Sequence, residues 1–292
     1  MNILLTGDFH LTDKTPENRI DDYPETGLKK LKFNLDLAKE KKVRWILQPG
    51  DFFDSPNPSY SLFTKVVRMI NEYGIPIYTV FGQHDLRYRN VNNTGLLALS
   101  ASCPNVLLNP NSIGGEISIQ SAGWEEDVPK PRVGKYNILI THKMIVKEKL
   151  WKDQEDFTYA NAFLKANKYD LIVSGDNHQF FVENIGNRWL INCGSMMRST
   201  IAQIEHFPRV LLYEIPTNNW TEIDIPIKPA EEVFKIEQVI KTKERDEKLE
   251  AFVEGLSVHK EMGLSFEDNL NSYLIANEIS QPIQDIIKEN MI

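Results

Sequence analysis

The chain has 292 residues, with 33 Lys and Arg against 41 Asp and Glu for a formal net charge of −8, and is 41% hydrophobic and 25% charged. Those proportions belong to an ordinary globular protein with room for one large domain and an appendage, and the acidic balance argues against a general polyanion binder, which needs clustered Lys and Arg and here has room only for a short basic groove. No run approaches the ~18 apolar residues of a membrane span and no signal-peptide pattern is seen, so a cytoplasmic protein with no membrane partner is expected.

In chain order, Asn2 to Thr6 reads as a buried strand that delivers Asp8 and His10 at its end. Residues 26–41 place Leu28, Leu31 and Leu35 at near-helical spacing, and Val43 to Pro49 forms a second strand running into Gly50-Asp51-Phe52-Phe53-Asp54. A Pro, Asn and Ser turn precedes a helix whose Leu62, Phe63, Val66, Val67 and Ile70 make an apolar stripe, stopped by Gly74. Ile75 to Phe81 is a third strand and carries Gly82-Gln83-His84-Asp85. Strand, helix, strand, helix, strand predicts a right-handed α/β layer.

Short alternating segments from Asn105 to Trp124 predict antiparallel strands, either on one edge or in a second sheet. Tyr136 to Ile140 is another strand, followed by Thr141-His142-Lys143. Residues 157–168 read as a helix, Tyr169 to Val173 as a strand ending in Ser174-Gly175-Asp176-Asn177-His178, and 187–193, 209–215 and 221–227 as further strands. At Lys228-Pro229 the composition turns charged and helical, which divides the chain into 1–228 and a smaller C-terminal region, 229–292. In that region Leu249, Phe252, Val253 and Leu256 share one helical face, Ser265-Phe266-Glu267-Asp268 opens a helix through Leu270, Tyr273 and Leu274, and Ile283, Ile286 and Ile287 follow Pro282.

Five strand ends therefore supply Asp8, His10, Asp51, Gln83, His84, His142, Asp176 and His178, and four of the six His residues stand there. The C-terminal ends of strands are where open α/β sheets bind ligands. One such His is more often a turn residue bonded to backbone, but the set favours a polynuclear metal site. Cys103 and Cys193 are far apart and lack CxxC spacing, so its ligands must be His and carboxylate. A mixture of carboxylate, imidazole and amide oxygen suits Mn²⁺, Fe or Zn²⁺ better than Ca²⁺.

Asp-x-His, Gly-Asp-x-x-Asp, Gly-x-His-Asp, a lone His after a strand and a final Gly-x-x-His, in this order, resemble the calcineurin-like metallophosphoesterase superfamily. Within it, Gly50 to Pro56 and the helix after it are similar to SbcD-type DNA double-strand-break repair exonucleases, phage forms included, and Asn192-Cys193-Gly194-Ser195 is similar to that family's Asn-Pro-Gly-Ser. The resemblance implies a two-sheet αββα sandwich with a small, mainly helical C-terminal appendage. It implies a nuclease with two divalent ions, one held by Asp8, His10, Asp51 and His178, the other by Asp51, Gln83, His142 and Asp176. It places His84 over the scissile phosphate, with Asp85 orienting it, and makes Asp54 a structural acceptor.

Two departures stand out: Gln83 where the family usually has Asn, and Asp176 where it usually has His. With Asp176 ionised, three negative ligands face the two ions, which predicts a preference for Mn²⁺, with Mg²⁺ next, over Zn²⁺. Arg87, Arg89, Lys143 and Arg198 follow motif residues and are candidate phosphate contacts. The apolar stripe at 60–73 and the resemblance together predict a homodimer, and the C-terminal helices an ATPase partner of the structural-maintenance type. A DNA nuclease of the cytoplasm, or of a host's cytoplasm if viral, is the leading expectation. A phosphatase or cyclic-nucleotide phosphodiesterase of the same superfamily, and a non-catalytic scaffold, are the competing ones.

Overall fold

The computed structural model describes residues 1–86 and 88–236, with positions 241, 270, 271, 274, 275, 279, 281 and 284 beyond them. The first half of the main unit runs β1 (Asn2–Leu5), α1 (Tyr23–Glu40), β2 (Ile46–Gln48), α2 (Tyr60–Tyr73), β3 (Ile77–Thr79), α3 (Gly95–Ser102), β4 (Val106–Leu108), β5 (Ser112–Gly114) and β6 (Ile117–Ala122). The second half runs β7 (Tyr136–His142), β8 (Ile145–Val146), β9 (Thr158–Tyr159), α4 (Ala160–Ala166), β10 (Leu171–Gly175), β11 (Phe181–Ile185), β12 (Arg188–Asn192), β13 (Arg209–Glu214), β14 (Asn219–Asp224) and α5 (Ala230–Val233).

Two six-stranded sheets result, ordered β14-β13-β1-β2-β3-β4 and β11-β12-β10-β7-β6-β5, with β8 and β9 as a separate pair. Strands β1 to β4 are parallel, and so are β6, β7, β10 and β12, so each sheet sends a set of C-terminal strand ends to one rim. Alternation in the second sheet shows how the layers stack. Ile138, Ile140, Leu171, Val173 and Ile191 join the core that holds Ile3, Leu4 and Leu5, whereas Leu139, Ile172 and Leu190 join a second core with Phe163 and Leu164 of α4. Successive side chains of a strand face opposite ways, so one face of this sheet packs on the first sheet and the other under α4.

Helix starts and stops follow from single residues. Asp22 caps α1 through Glu25 N at 3.1 Å, Ser59 caps α2 through Leu62 N at 3.2 Å, and Gly74 ends α2 in a left-handed conformation at φ 63°. The α2 stripe turns inward: Leu62, Val66 and Ile70 are buried, while Phe63 and Val67 pack against the core beside them. Phe63 and Val67 stay half-buried and Tyr60 at the head of the helix is 92% exposed, so the expected subunit pairing would use this outer side of the stripe.

The segment 105–124 also differs from its expected form. Only β5 is antiparallel, to β6, while β4 pairs parallel with β3 and β6 parallel with β7, so the segment crosses from the edge of one sheet to the other. Helix α3 and strand β11 were not expected.

Two compact units divide at Phe234 and Lys235. In the second unit Leu270 and Leu274 are buried, while Leu249, Phe252, Val253, Leu256, Tyr273, Ile283, Ile286 and Ile287 lie outside the described residues. Among the described residues no helix is long and apolar enough to cross a membrane.

Candidate metal centre

Asp8 and His10 follow β1, Asp51 follows β2, Gln83 and His84 follow β3, His142 ends β7, and Asp176 and His178 follow β10. The two sheets meet at this rim because the loop after β12 pairs with the loop after β1: Asp8 N donates to Gly194 O at 3.2 Å and Met196 N to Asp8 O at 2.8 Å. Asn192 braces the same junction, accepting from Gly194 N at 2.7 Å and donating to Asn177 O at 2.9 Å.

Small residues make the convergence possible. A Cβ on Gly175 would stand 2.4 Å from Asp8 Oδ1 and 2.8 Å from His142 Nδ1, and one on Gly82 would stand 2.0 Å from Asp51 Oδ1. The backbone bends for it as well, since His10, Asp51 and Asp176 sit at φ 45°, 48° and 76°. Left-handed backbone is uncommon for such residues and concentrates at functional sites.

All seven expected ligands come together. His10 Nε2 lies 3.0 Å from His178 Nε2, and His178 Nε2 3.8 Å from Asp8 Oδ2. Asp51 Oδ2 lies 3.7 Å from His10 Nε2 on one side and 3.3 Å from His142 Nε2 on the other. Gln83 joins the second group, with Oε1 2.8 Å from His142 Nε2 and Nε2 donating to Asp176 Oδ1 at 2.9 Å. Asp51 therefore stands between an Asp8, His10, His178 group and a Gln83, His142, Asp176 group.

Each of the two central carboxylates spends one oxygen on the fold. Asp51 Oδ1 accepts from His84 N and Asp8 Oδ2 from Asp176 N, both at 2.9 Å. The other oxygens, Asp51 Oδ2 and Asp8 Oδ1, are buried without a hydrogen-bond partner among the described residues. A buried carboxylate oxygen left without a donor is costly, and a cation satisfies it. The donor set of carboxylates, imidazoles and an amide oxygen fits divalent ions, and His142 is oriented for one because its Nδ1 is held by Pro49 O at 2.7 Å.

The electrostatics agree. Burial works against a charged ring at His142, but Asp51, Asp8 and Asp176 outweigh it and push its pKa up to about 10. Pro49 O holds Nδ1 as the donor, which leaves Nε2, 2.8 Å from Gln83 Oε1 and 3.3 Å from Asp51 Oδ2, as the nitrogen that faces the second group. Burial also opposes charge on His10, yet Asp54, Asp51 and Asp8 raise it, whereas burial and the neighbouring His10 charge pull His178 down to about 4. The negative potential of Asp8 and Asp51 thus draws positive charge toward the facing imidazoles.

The surroundings of His84 differ from expectation. Asp85 does not orient it: buried at 1% exposure, Asp85 accepts from Phe52 N at 3.3 Å, Phe53 N at 3.1 Å and Gly82 N at 3.1 Å, bracing the two loops that carry Asp51 and Gln83. Burial and the Asp51 charge raise its pKa against the pull of those N–H groups. The partner of His84 is Asp54, whose carbonyl accepts from Nδ1 at 3.3 Å and whose carboxylate lies 3.7 Å from it. The same carboxylate is 3.5 Å from His10 Nδ1, so Asp54 lies against both rings.

The expected phosphate contacts separate. Arg198 is buried, donates to Lys228 O at 2.6 Å and Ile204 O at 3.3 Å, and lies over Phe234, so it holds the scaffold and lines a hollow with Arg19 and Lys30. Arg89 is exposed and pairs with Glu125 at 3.3 Å. Lys143 is half-buried directly after His142, and Arg87 lies outside the described residues. Lys14, which sequence reasoning missed, lines a cavity of about 420 Å³ with His10, His84 and His178. It sits in a polar loop with no motif to mark it.

Residues 1–180 match the model of the calcineurin-like phosphoesterase family. "Exonuclease subunit 1" of Enterobacteria phage T4 is 30% identical over 111 residues, which are 36% of this chain and 32% of that protein. "DNA double-strand break repair protein Mre11" of Thermoplasma acidophilum is 36% identical over 59 residues, 19% of this chain and 16% of that protein. The matched segments thus span about a third or less of these relatives. Among solved structures, a dimetal phosphatase from Danio rerio has a TM-score of 0.51 at 11% identity, covering 77% of this chain and 95% of that one. The protein TT1561 of Thermus thermophilus has a TM-score of 0.50 at 13% identity, covering 77% and 99%.

Proposed function

Because the chain belongs to the calcineurin-like phosphoesterase family, whose members hydrolyse phosphoesters with divalent metals, we propose that it is a DNA nuclease cleaving phosphodiesters at a two-metal centre, in repair, recombination or phage replication. The observation that carries the reading is the position of Asp51, one buried carboxylate oxygen between two ligand groups, 3.7 Å from His10 Nε2 and 3.3 Å from His142 Nε2. The named nuclease relatives support DNA as substrate.

Asp8, His10, Asp51 and His178 would hold one ion, and Asp51, Gln83, His142 and Asp176 the other. Two ions there would supply Lewis-acid stabilisation of the phosphoryl oxygens and a nucleophile at neutral pH. The third carboxylate of the set, Asp176, raises the negative charge on the second ion and favours Mn²⁺, then Mg²⁺. His84, exposed at the cavity and anchored through Nδ1 on Asp54 O, keeps Nε2 for the leaving oxygen, to which it delivers a proton. Residues 229–292 are assigned to docking a partner ATPase, in keeping with the word "subunit" in the phage relative's name.

The acidic balance favours a second reading, a phosphatase or cyclic-nucleotide phosphodiesterase acting on small substrates. End-labelled single- and double-stranded DNA, a phosphomonoester and a cyclic nucleotide, each with Mn²⁺, Mg²⁺ or chelator, separate the two. Mn²⁺-dependent shortening of DNA is expected. Turnover of the small substrates with intact DNA would overturn the nuclease reading.

A further inference from the structure

Beside the metal centre lies a second cavity, of about 650 Å³, whose lining includes Gln83, Asp176 and His178 at one side and Trp151 and Met144 at the other. Trp151 is 57% exposed, so its ring is open to a ligand in that cavity. Its turn is fixed from within. Gln154, buried at 2% exposure, accepts from Leu150 N at 2.9 Å through Oε1, and its own backbone N donates to Trp151 O at 3.3 Å. The indole is thus presented on a braced turn at the edge of a cavity that three candidate ligands share.

The charge around it selects what can lie there. The same indole lines an adjoining hollow with Asp153, Glu155, Asp156 and Asp176. Asp153, Glu155 and Asp156 repel a phosphate backbone, whereas an uncharged planar ring meets no such penalty and gains stacking area on an aromatic face. In a chain of net charge −8, stacking on the base offers a grip on a nucleotide that does not depend on clustered Lys and Arg.

We propose that Trp151 is a base-stacking platform, which takes the nucleobase adjoining the scissile phosphate while the Asp153, Glu155 and Asp156 wall closes the path beyond it. The proposal rests on the nuclease reading and adds the residue that positions the terminal nucleotide. Trp151 is a substrate contact and no part of the metal ligand set, so its loss leaves the metals in place.

The test compares the full Mn²⁺-loaded protein with Trp151→Ala and Trp151→Phe, using calorimetric binding of deoxyadenosine monophosphate and of deoxyribose 5-phosphate, which carries the same phosphate without a base. The wild type should prefer the nucleotide, Trp151→Ala should bind it about 10- to 100-fold more weakly, as expected for one lost stacked base, and Trp151→Phe should recover most of the difference. Binding of deoxyribose phosphate should not change. Equal affinity of the wild type for the two probes, or an equal loss for both in Trp151→Ala, overturns the platform. DNA hydrolysis measured on the same preparations keeps the two claims apart. A base preference that vanishes in Trp151→Ala, found in a protein that leaves DNA intact, supports the platform and refutes the nuclease reading.

Discussion

Replacing Asp85 with Ala distinguishes a brace for the metal loops from an orienting partner for His84. The carboxylate is 1% exposed and accepts three backbone N–H groups, from Phe52, Phe53 and Gly82 at 3.3, 3.1 and 3.1 Å. A buried N–H left without an acceptor costs ~1–3 kcal/mol, and a water entering the vacated space satisfies part of the debt, so the lower end, ~3 kcal/mol in total, is expected. For a unit of this size that corresponds to a midpoint lower by ~6–12 °C. Since the released loops carry Asp51 and Gln83, Mn²⁺ affinity should fall by ~10–100-fold as well. Asp85→Asn keeps one acceptor oxygen and should fall between the two. Thermal unfolding by circular dichroism and Mn²⁺ titration calorimetry read both effects. An Asp85→Ala protein with unaltered midpoint and metal affinity but impaired turnover would refute the brace and return Asp85 to His84.

His84→Ala should retain both ions and lose ~10²–10⁴-fold in turnover, because the ring faces the cavity and contributes a proton and not a ligand; metal analysis finding an ion missing would place it among the ligands. Gly175→Ala drives a Cβ to 2.4 Å from Asp8 Oδ1 and 2.8 Å from His142 Nδ1, so it should weaken Mn²⁺ binding at least ~10-fold while β10 still forms, and unchanged calorimetric affinity would contradict the packing. Lys30 is buried, and burial followed by the charges of Arg198 and Arg19 lowers its pKa to about 7. Between that value and its unfolded value the unfolded chain binds the extra proton, so this group makes stability rise with pH, by up to ~1.4 kcal/mol per unit. Lys30→Met should be favoured over the wild type near pH 6.5 and lose that advantage near pH 9; parallel urea midpoints at the two values would show that Lys30 does not titrate in this window.

The strand ends were legible because the chemistry is local. A β-rich run closing on Gly and then on His or Asp announces both the element and the direction of its polar tip, and Asp8, His10, Asp51, Gln83, His142, Asp176 and His178 do stand on one rim. What failed was non-local. Gly95 to Ser102 reads as apolar all round, Leu97 and Ala98 standing between Leu96 and Leu99, so its sequence marks no stripe although Leu96 and Leu99 are the pair that is buried, and α3 is set by its Thr94 cap and by packing on α2. Parallel pairing of β6 with β7 follows from a crossing between sheets that alternation within 105–124 does not encode. The family resemblance implies Asp85 as the partner of His84, but the chain folds back so that His84 N reaches Asp51 and its ring reaches Asp54. Arg198 looked like a phosphate contact until the 225–228 segment closed over it and took its guanidinium at Lys228 O.

The central claim is that one carboxylate joins two cation sites, and metal stoichiometry tests it most directly. Mn²⁺ bound per chain should be counted by mass spectrometry and calorimetry on the wild type and Asp51→Asn, with end-labelled DNA hydrolysis measured on the same samples. The account predicts two ions in the wild type, reduced occupancy of both in Asp51→Asn, and no DNA hydrolysis by the variant. A wild type that binds a single ion, or an Asp51→Asn protein that keeps one site full and still cleaves, would contradict it.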